Sequence, residues 1–188
     1  MSMNKNRTIA LFVIVVLAIA YVYAARRQEP PAQSAVKKVD QYVFFKNSTF
    51  TIDGASTTLK DGISEVPAAP GSASKITTRY FGNEGKGDFN GDGKEDIVFL
   101  VTQDSGGSGL FYYAIAALGT SSGYKMTNAF FIGDRIAPQS TEVQDNGHEI
   151  HINYAERNPG EPMTTQPSRG AVKLLKVTPL GVLNGLMQ

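Results

Sequence analysis

Residues 97–101 read IVFLV and residues 110–118 read LFYYAIAAL. Neither run alternates apolar and polar residues, so a β-strand formed by either would present apolar side chains on both faces. Strands of that composition are covered on both sides in folded proteins. The two runs therefore predict a pair of neighbouring central strands that other elements cover on both faces.

The chain around this pair is punctuated as in β proteins. Asp53-Gly54 and Asn146-Gly147 separate β-prone runs and are typical of tight hairpin turns. Residues 63–75 contain two prolines, and we expect a long crossing loop there. The expected fold class is mainly β, a single antiparallel β-sheet or sandwich-like domain over residues 36–188. Further strands are expected at residues 76–81, 126–132 and 172–177.

Residues 88–96, DFNGDGKED, have the spacing of a calcium loop. Oxygen-bearing side chains stand at loop positions 1, 3, 5 and 9, and a glycine stands at position 6, where such loops turn most sharply. Calcium takes about six to eight oxygen ligands, which alternate residues of a curled loop supply. The alternative is an ordinary solvated turn, which Asn, Asp and Gly also favour. The expected ligands are the side chains of Asp88, Asn90, Asp92 and Asp96 and the backbone carbonyl of Lys94.

The same run resembles the D-x-[DN]-x-D-G-x-x-D loop of FG-GAP repeats in integrin-like propellers, and it is similar to the first nine positions of dockerin and EF-hand loops. Ile97-Val98-Phe99 resembles the strand that follows the loop in FG-GAP repeats. The resemblance implies one calcium ion. Position 12 is Phe99 instead of the bidentate Glu of an EF-hand, so the expected affinity is modest. Because the motif occurs once, the resemblance does not imply a propeller.

The composition limits the domain count and the classes of function. With 188 residues, 41% of them hydrophobic, the chain suffices for one ordinary domain. Its 18 Lys and Arg residues nearly balance 17 Asp and Glu residues, and no nucleic-acid partner is expected. The absence of Cys excludes disulfides, thiol catalysis, Cys-ligated zinc and a lipidated cysteine.

An uncharged N-terminal segment predicts a membrane anchor. Residues 8–25 comprise 18 uncharged residues, which as a helix would extend about 27 Å, close to the thickness of a bilayer core. Tyr21 and Tyr23 at its end suit a membrane interface, and Arg26-Arg27 would be unusual directly after a cleavage site. We therefore predict a transmembrane signal-anchor with the lipid bilayer as its partner. The alternative is secretion after signal cleavage near Ala24.

The segments beside the anchor set the expected topology. Residues 1–7 are too few to fold and are interpreted as a cytoplasmic head, and residues 26–35, RRQEPPAQSA, as a Pro-rich stalk. Basic residues on both sides do not decide the orientation. A modest calcium site, however, needs the millimolar calcium found outside the cytoplasm. We expect a single-pass protein of the inner or plasma membrane, with its domain in the periplasm or outside the cell. The wider stretch from the calcium loop to residue 118 resembles small anchored or exported bacterial proteins.

Three other segments carry candidate functional residues. Asp104-Ser105-Gly106-Gly107 echoes the nucleophile segment of trypsin-like proteases, but no His precedes it, so a hairpin loop is the better interpretation. On a strand, Glu149 and His151 would share one face and His148 would lie on the other, which is too few ligands for zinc. The loop 155–170 is the expected surface for a cell-envelope or protein partner.

No nucleophile and general base are paired by their spacing, and no catalytic residue is assigned. The expected function is a non-enzymatic binding or structural module that is anchored to a membrane and binds calcium. The alternative is a cell-envelope hydrolase that uses Asp104, Glu149 or His151 in a cleft.

Overall fold

The computed structural model describes residues 43–186, apart from the side chain of Asp145. Residues 43–45 are helical, and the remainder of this range is built from β-strands and their connections. The strands are β1 Thr49–Ile52, β2 Ala55–Thr58, β3 Ile63–Pro67, β4 Lys75–Gly87, β5 Asp96–Asp104, β6 Phe111–Thr120, β7 Gly123–Met126, β8 Phe130–Asp134, β9 Ala137–Gln144, β10 Glu149–Glu156, β11 Arg169–Val177 and β12 Leu183–Gly185. The chain is therefore mainly β, as the sequence predicts.

The largest sheet is built around the two central strands predicted from the sequence. Its order is β3-β4-β5-β6-β7, and β8 also pairs with β6, beyond the end of β7. All of these pairs are antiparallel. β5 and β6 are buried along most of their length because their side chains are apolar on both faces.

One face of β5 and β6 packs against a second sheet. This sheet has the order β12-β11-β10-β9 and is antiparallel throughout. Val98 and Leu100 of the large sheet lie in one core cluster with Ile150, Ile152 and Leu175 of the second sheet. The two sheets therefore form a sandwich, which decides between the two sheet arrangements that the sequence left open.

The other face of β5 and β6 is covered by the N-terminal part of the described chain. The hairpin β1–β2 and residues 43–47 lie over it, and Phe45 stacks on Phe99 with ring centroids 5.2 Å apart. Tyr113 donates a hydrogen bond to Asp53 at 3.1 Å and so ties the hairpin turn to β6. Both faces of the central pair are thus removed from water, and the molecule has three layers at this point.

Three segments differ in detail from the sequence predictions. Residues 63–75 are not one loop, because β3 occupies their first five residues as an edge strand paired with β4. The run 126–132 is divided between β7 and β8. Asn146-Gly147 does lie in a hairpin connection, but that connection includes a 3-10 turn over Asp145–Gly147 and is longer than two residues. Asp53-Gly54 forms the predicted two-residue turn, with both φ angles positive.

The predicted anchor falls outside the described residues, as do the head 1–7 and the stalk 26–35. Within residues 43–186, no helix combines the length and apolarity needed to cross a bilayer. The described residues fall within one compact unit.

The second core yields a stability prediction. Phe99 is fully buried between Phe45 and Tyr80, so Phe99→Ala should lower the free energy of unfolding by about 3–5 kcal/mol. Phe131 is a matched control because it lies on the same face of the large sheet but is 48% exposed, and Phe131→Ala should cost about 1 kcal/mol or less. Urea unfolding midpoints measure both effects. Equal losses would contradict the layered arrangement.

The tie between β6 and the hairpin yields a pH prediction. Burial, assisted by the hydrogen bond to Asp53, raises the pKa of Tyr113 from 10.0 to about 12. The folded state keeps this proton where the unfolded state loses it, so stability should fall as the pH rises from about 10 to about 12. Burial also raises the pKa of Tyr112 and Tyr154, so absorbance titration of tyrosinate should show several late groups, of which Tyr113→Phe removes the last. An unchanged last step of the titration in this variant would contradict the assignment.

Candidate metal centre

The DFNGDGKED segment, here called the Asp88 loop (residues 88–96), connects β4 to β5. These strands are antiparallel neighbours, and Gly87 pairs with Asp96 where they separate. Phe89 points into the core between the two sheets and is buried. The remaining loop residues before Asp96 are mostly exposed. The loop is therefore fixed at its base and open to solvent at its tip.

The loop curls around the carboxylate of Asp88. Its Oδ1 accepts hydrogen bonds from the backbone N–H groups of Gly91 and Asp92 at 2.8 and 3.0 Å, and its Oδ2 accepts one from Gly93 at 2.8 Å. Gly91 and Gly93 have φ of 76° and 79°, a left-handed conformation that glycine adopts without steric cost. Three donors converging on one carboxylate make the first half of the loop a tight turn.

The side chains at positions 3 and 5 also bond within the loop. Asn90 Oδ1 accepts from the Asp92 N–H at 3.0 Å, and Asp92 Oδ1 accepts from the Lys94 N–H at 2.9 Å. Asp92 Oδ2 receives the Lys94 ammonium at 2.8 Å. This hydrogen bond lowers the pKa of Asp92 and raises that of Lys94. The ammonium of Lys94 is thus the cation that balances Asp92 in this structure.

Asp96 differs from the other three because its side chain is fully buried. Its Oδ2 accepts the N–H of Phe89 at 2.8 Å, and its Oδ1 accepts the N–H of Gly119 at 2.7 Å. Burial raises the pKa of Asp96, while the bonds from Gly119 and Phe89 oppose that rise. Asp96 therefore joins the start of the loop to the end of β6, where a Cβ on Gly119 would lie 2.6 Å from the Glu95 carbonyl oxygen.

The connection between β9 and β10, residues 145–148, lies against the Asp88 loop. The sequence did not predict this contact. A Cβ on Gly147 would lie 3.0 Å from the Asp88 backbone nitrogen, and a Cβ on Gly91 would lie 3.7 Å from His148 Cε1. His148 is thus beside the loop. The sequence places His148 on the face opposite Glu149 and His151 and does not connect it with the loop. Gly147 and His148 are about 60 positions from the loop in the chain, and no local pattern indicates such a contact.

The four predicted side-chain ligands share one loop but do not form a preassembled metal site. Within residues 43–186, no group of three or more Asp, Glu or His side chains is arranged to hold a metal ion. The directions of the carboxylates explain this, because Asp96 faces two backbone N–H groups and Asp92 faces Lys94. An open cavity of about 330 Å³ adjoins the loop and is lined by Lys86, Gly87, Asp88, Gly93, Lys94 and Glu95.

Two of the other candidate residues are brought together. Glu149 and His151 share the outer face of the second sheet, as predicted, and His151 Nε2 lies 2.5 Å from Glu149 Oε1. Lys176 lies 3.7 Å from the other oxygen of Glu149. Asp104, by contrast, is at the end of β5 farthest from the Asp88 loop, and its Oδ1 accepts the Gly106 N–H. The three hydrolase candidates therefore do not line one cleft.

In the predicted partner surface, the loop 155–170, only residues 157–168 connect β10 to β11, because the outer residues belong to these strands. Polar contacts anchor this connection. Arg157 donates to the carbonyls of Thr165 and Arg135, and Asn158 bonds to Glu161. The N–H of Arg135 in turn bonds to the Leu110 carbonyl, just before β6 begins. β6 ends beside the Asp88 loop, so the loop 155–170 and the Asp88 loop lie at opposite ends of the sandwich.

No protein-family model, curated protein or solved structure matches this chain.

The buried carboxylate yields a prediction about the loop. Asp96→Ala leaves two backbone N–H groups without their acceptor and should lower the free energy of unfolding by about 2–4 kcal/mol. Asp96→Asn keeps one acceptor oxygen and should cost about half as much. Glu95→Ala is the adjacent control, exposed and paired with Lys86, and should change stability by about 0.5 kcal/mol or less. Thermal and urea unfolding measure these differences. An unchanged free energy of unfolding in Asp96→Ala would contradict the role of Asp96 in joining the loop to β6.

Proposed function

We propose that this chain is a membrane-anchored, extracytoplasmic module that binds one calcium ion in the Asp88 loop and acts without catalysis. The lipid bilayer would hold it through residues 8–25. The ligands would be the side chains of Asp88, Asn90, Asp92 and Asp96 with the carbonyl of Lys94.

The curl of the loop around Asp88 is the observation that carries the metal proposal. Three backbone N–H groups already hold this carboxylate, so the alternate residues Asp88, Asn90 and Asp92 start from a compact loop. A loop that is already curled loses less conformational entropy when it binds an ion. Four acidic residues and one lysine give the loop a net charge of −3, which a divalent cation would largely offset.

Binding would require two local rearrangements. The ammonium of Lys94 would leave Asp92, and because both side chains are substantially exposed this ion pair is screened by water. Asp96 would share its oxygens between the ion and the two N–H groups, which an ionised carboxylate allows because it has about four lone-pair sites. The base of the loop would stay fixed by Phe89. Calcium tolerates such irregular oxygen geometry better than magnesium, which demands an octahedral shell.

The proposed extracytoplasmic location of the domain is consistent with the modest calcium affinity expected of the Asp88 loop. A loop without the bidentate Glu at position 12 should bind calcium with a dissociation constant of about 10⁻⁴ M. Such a site is largely occupied at the millimolar calcium concentrations outside the cytoplasm. The domain would therefore be in its calcium-bound form outside the cytoplasm, where the predicted anchor would place it.

Calcium should stabilise the folded protein. With a dissociation constant of about 10⁻⁴ M, about 1 mM calcium should add about 1.4 kcal/mol to the free energy of unfolding and raise the melting temperature by about 3–6 °C. Calorimetry of the full chain in detergent, with calcium, with magnesium and with a chelator, measures this shift. Magnesium should produce a smaller shift. Absence of binding heat and of any shift at several millimolar calcium would show that the loop is only a turn.

Substitutions in the Asp88 loop should distinguish the calcium ligands from neighbouring residues that do not bind calcium. Asp88→Ala and Asp92→Ala should abolish the calcium-dependent shift, whereas Glu95→Ala should retain it because Glu95 pairs with Lys86 outside the ligand set. Lys94→Ala keeps the backbone carbonyl and removes the competing ammonium, so it should bind calcium more tightly than the native chain. Loss of calcium binding in Lys94→Ala would contradict the assigned geometry.

A further inference from the structure

Four exposed apolar side chains lie at one end of the sandwich. We define the Asp88 end by the Asp88 loop, the β6–β7 turn 121–122, the connection 145–148 and the turn 178–182. Gly119 against Glu95, Gly147 against Asp88, and Gly181, whose Cβ would lie 3.6 Å from Leu118, bring these segments together. Of the nine large apolar residues that are exposed within residues 43–186, four lie at this end: Val43, Phe44, Leu180 and Val182.

The two pairs flank the end of the same hairpin. Phe44 packs on Tyr124 with ring centroids 5.4 Å apart, and a Cβ on Gly123 would lie 3.9 Å from it. Tyr124 pairs with Gly119, the residue after Leu118, which contacts the turn that carries Leu180. Val43 and Phe44 are therefore on one side of the β6–β7 hairpin, and Leu180 and Val182 on the other.

Leu180 lies in a hydrogen-bonded turn and is exposed to solvent. The N–H of Gly181 bonds to the Thr178 carbonyl at 2.8 Å, and the N–H of Thr178 bonds to the Val182 carbonyl at 2.8 Å. The Thr178 hydroxyl also accepts the Val182 N–H at 3.1 Å. Pro179 and Gly181 suit the conformations of this turn, but nothing in it requires a leucine at position 180. The Leu180 side chain is 87% exposed, which is unfavourable in water unless a partner covers it.

The position of Val43 indicates what covers this end. Only 17 residues, 26–42, separate the predicted membrane span from Val43. The chain thus joins the domain at the Asp88 end, while the loop 155–170 lies at the opposite end. This step rests on the proposed function, because it uses the membrane anchor over residues 8–25.

We propose that the Asp88 end faces the bilayer and that Leu180, Val182, Val43 and Phe44 contact the lipid interface. Exposed apolar side chains at the same end as a charged loop suit that environment, where apolar groups reach the acyl boundary and charged groups stay among the headgroups. The net charge of −3 on the Asp88 loop would oppose approach to anionic lipid, and bound calcium would relieve that repulsion. The opposite end, with the loop 155–170, would then point away from the membrane.

Single-cysteine labelling tests this orientation, because the native chain has no Cys. Leu180→Cys and the control Met163→Cys would each carry an environment-sensitive fluorophore on the full chain. Met163 is a matched apolar residue, 56% exposed, in the loop at the opposite end. The probe is a phosphatidylcholine–phosphatidylglycerol vesicle with and without brominated acyl chains. A label at position 180 should shift to the blue and be quenched by the brominated lipid, and a label at position 163 should do neither. Val43→Cys provides a second site that should behave like position 180.

The outcomes distinguish this proposal from the membrane anchor, on which it depends, and from the calcium site, on which it does not depend. Equal quenching at positions 180 and 163, or stronger quenching at 163, overturns the orientation. A blue shift at 180 without quenching by brominated lipid also overturns it, because a protein would then cover the apolar side chains. Failure of the chain to float with vesicles overturns the anchor and this proposal together. Quenching at 180 combined with no calcium-dependent melting shift overturns the calcium site and leaves the orientation supported.

Discussion

The central strands β5 and β6 are apolar on both faces, and the rest of the domain is arranged to cover them. Val98 and Leu100 require one covering layer, which the four-stranded sheet supplies. Ile97, Phe99 and Val101 require another, which residues 43–47 and the hairpin β1–β2 supply. Because burial of apolar surface is the main favourable term in folding, neither layer is dispensable. The hydrogen bond from Tyr113 to Asp53 then fixes the smaller layer in place.

Strand β5 also connects the core to the candidate metal centre. β5 begins at Asp96, whose buried carboxylate accepts N–H groups from both the Asp88 loop and the end of β6. Ile97 follows directly and is fully buried. The base of the loop is therefore as fixed as the core, while its tip with Asn90 and Asp92 stays in water. The base of the loop is thus fixed in position, and its exposed tip could adjust to a bound ion.

The arrangement of the two ends gives the domain a direction. The Asp88 end combines a charged loop, four exposed apolar side chains and the point where the chain enters the domain. The opposite end carries the loop 155–170, which Arg157 ties to the β8–β9 connection. In the function we propose, the first end serves the membrane and calcium, and the second is available to a partner in the envelope. The pair Glu149–His151 lies on the outer face of the second sheet, between the two ends, with Lys176 3.7 Å from Glu149.

The sequence by itself determined the β class, the central pair, the Asp53-Gly54 turn and the grouping of Glu149 with His151, because each depends on alternation or turn chemistry within a few residues. It also placed the candidate ligands in one loop. Only the tertiary structure decided the sandwich, the edge strand in residues 63–67, and the contacts of Gly119, Gly147 and His148 with the Asp88 loop. These depend on residues far apart in the chain. The direction of each carboxylate was decided in the same way, since the N–H groups that hold Asp96 belong to the loop and to β6.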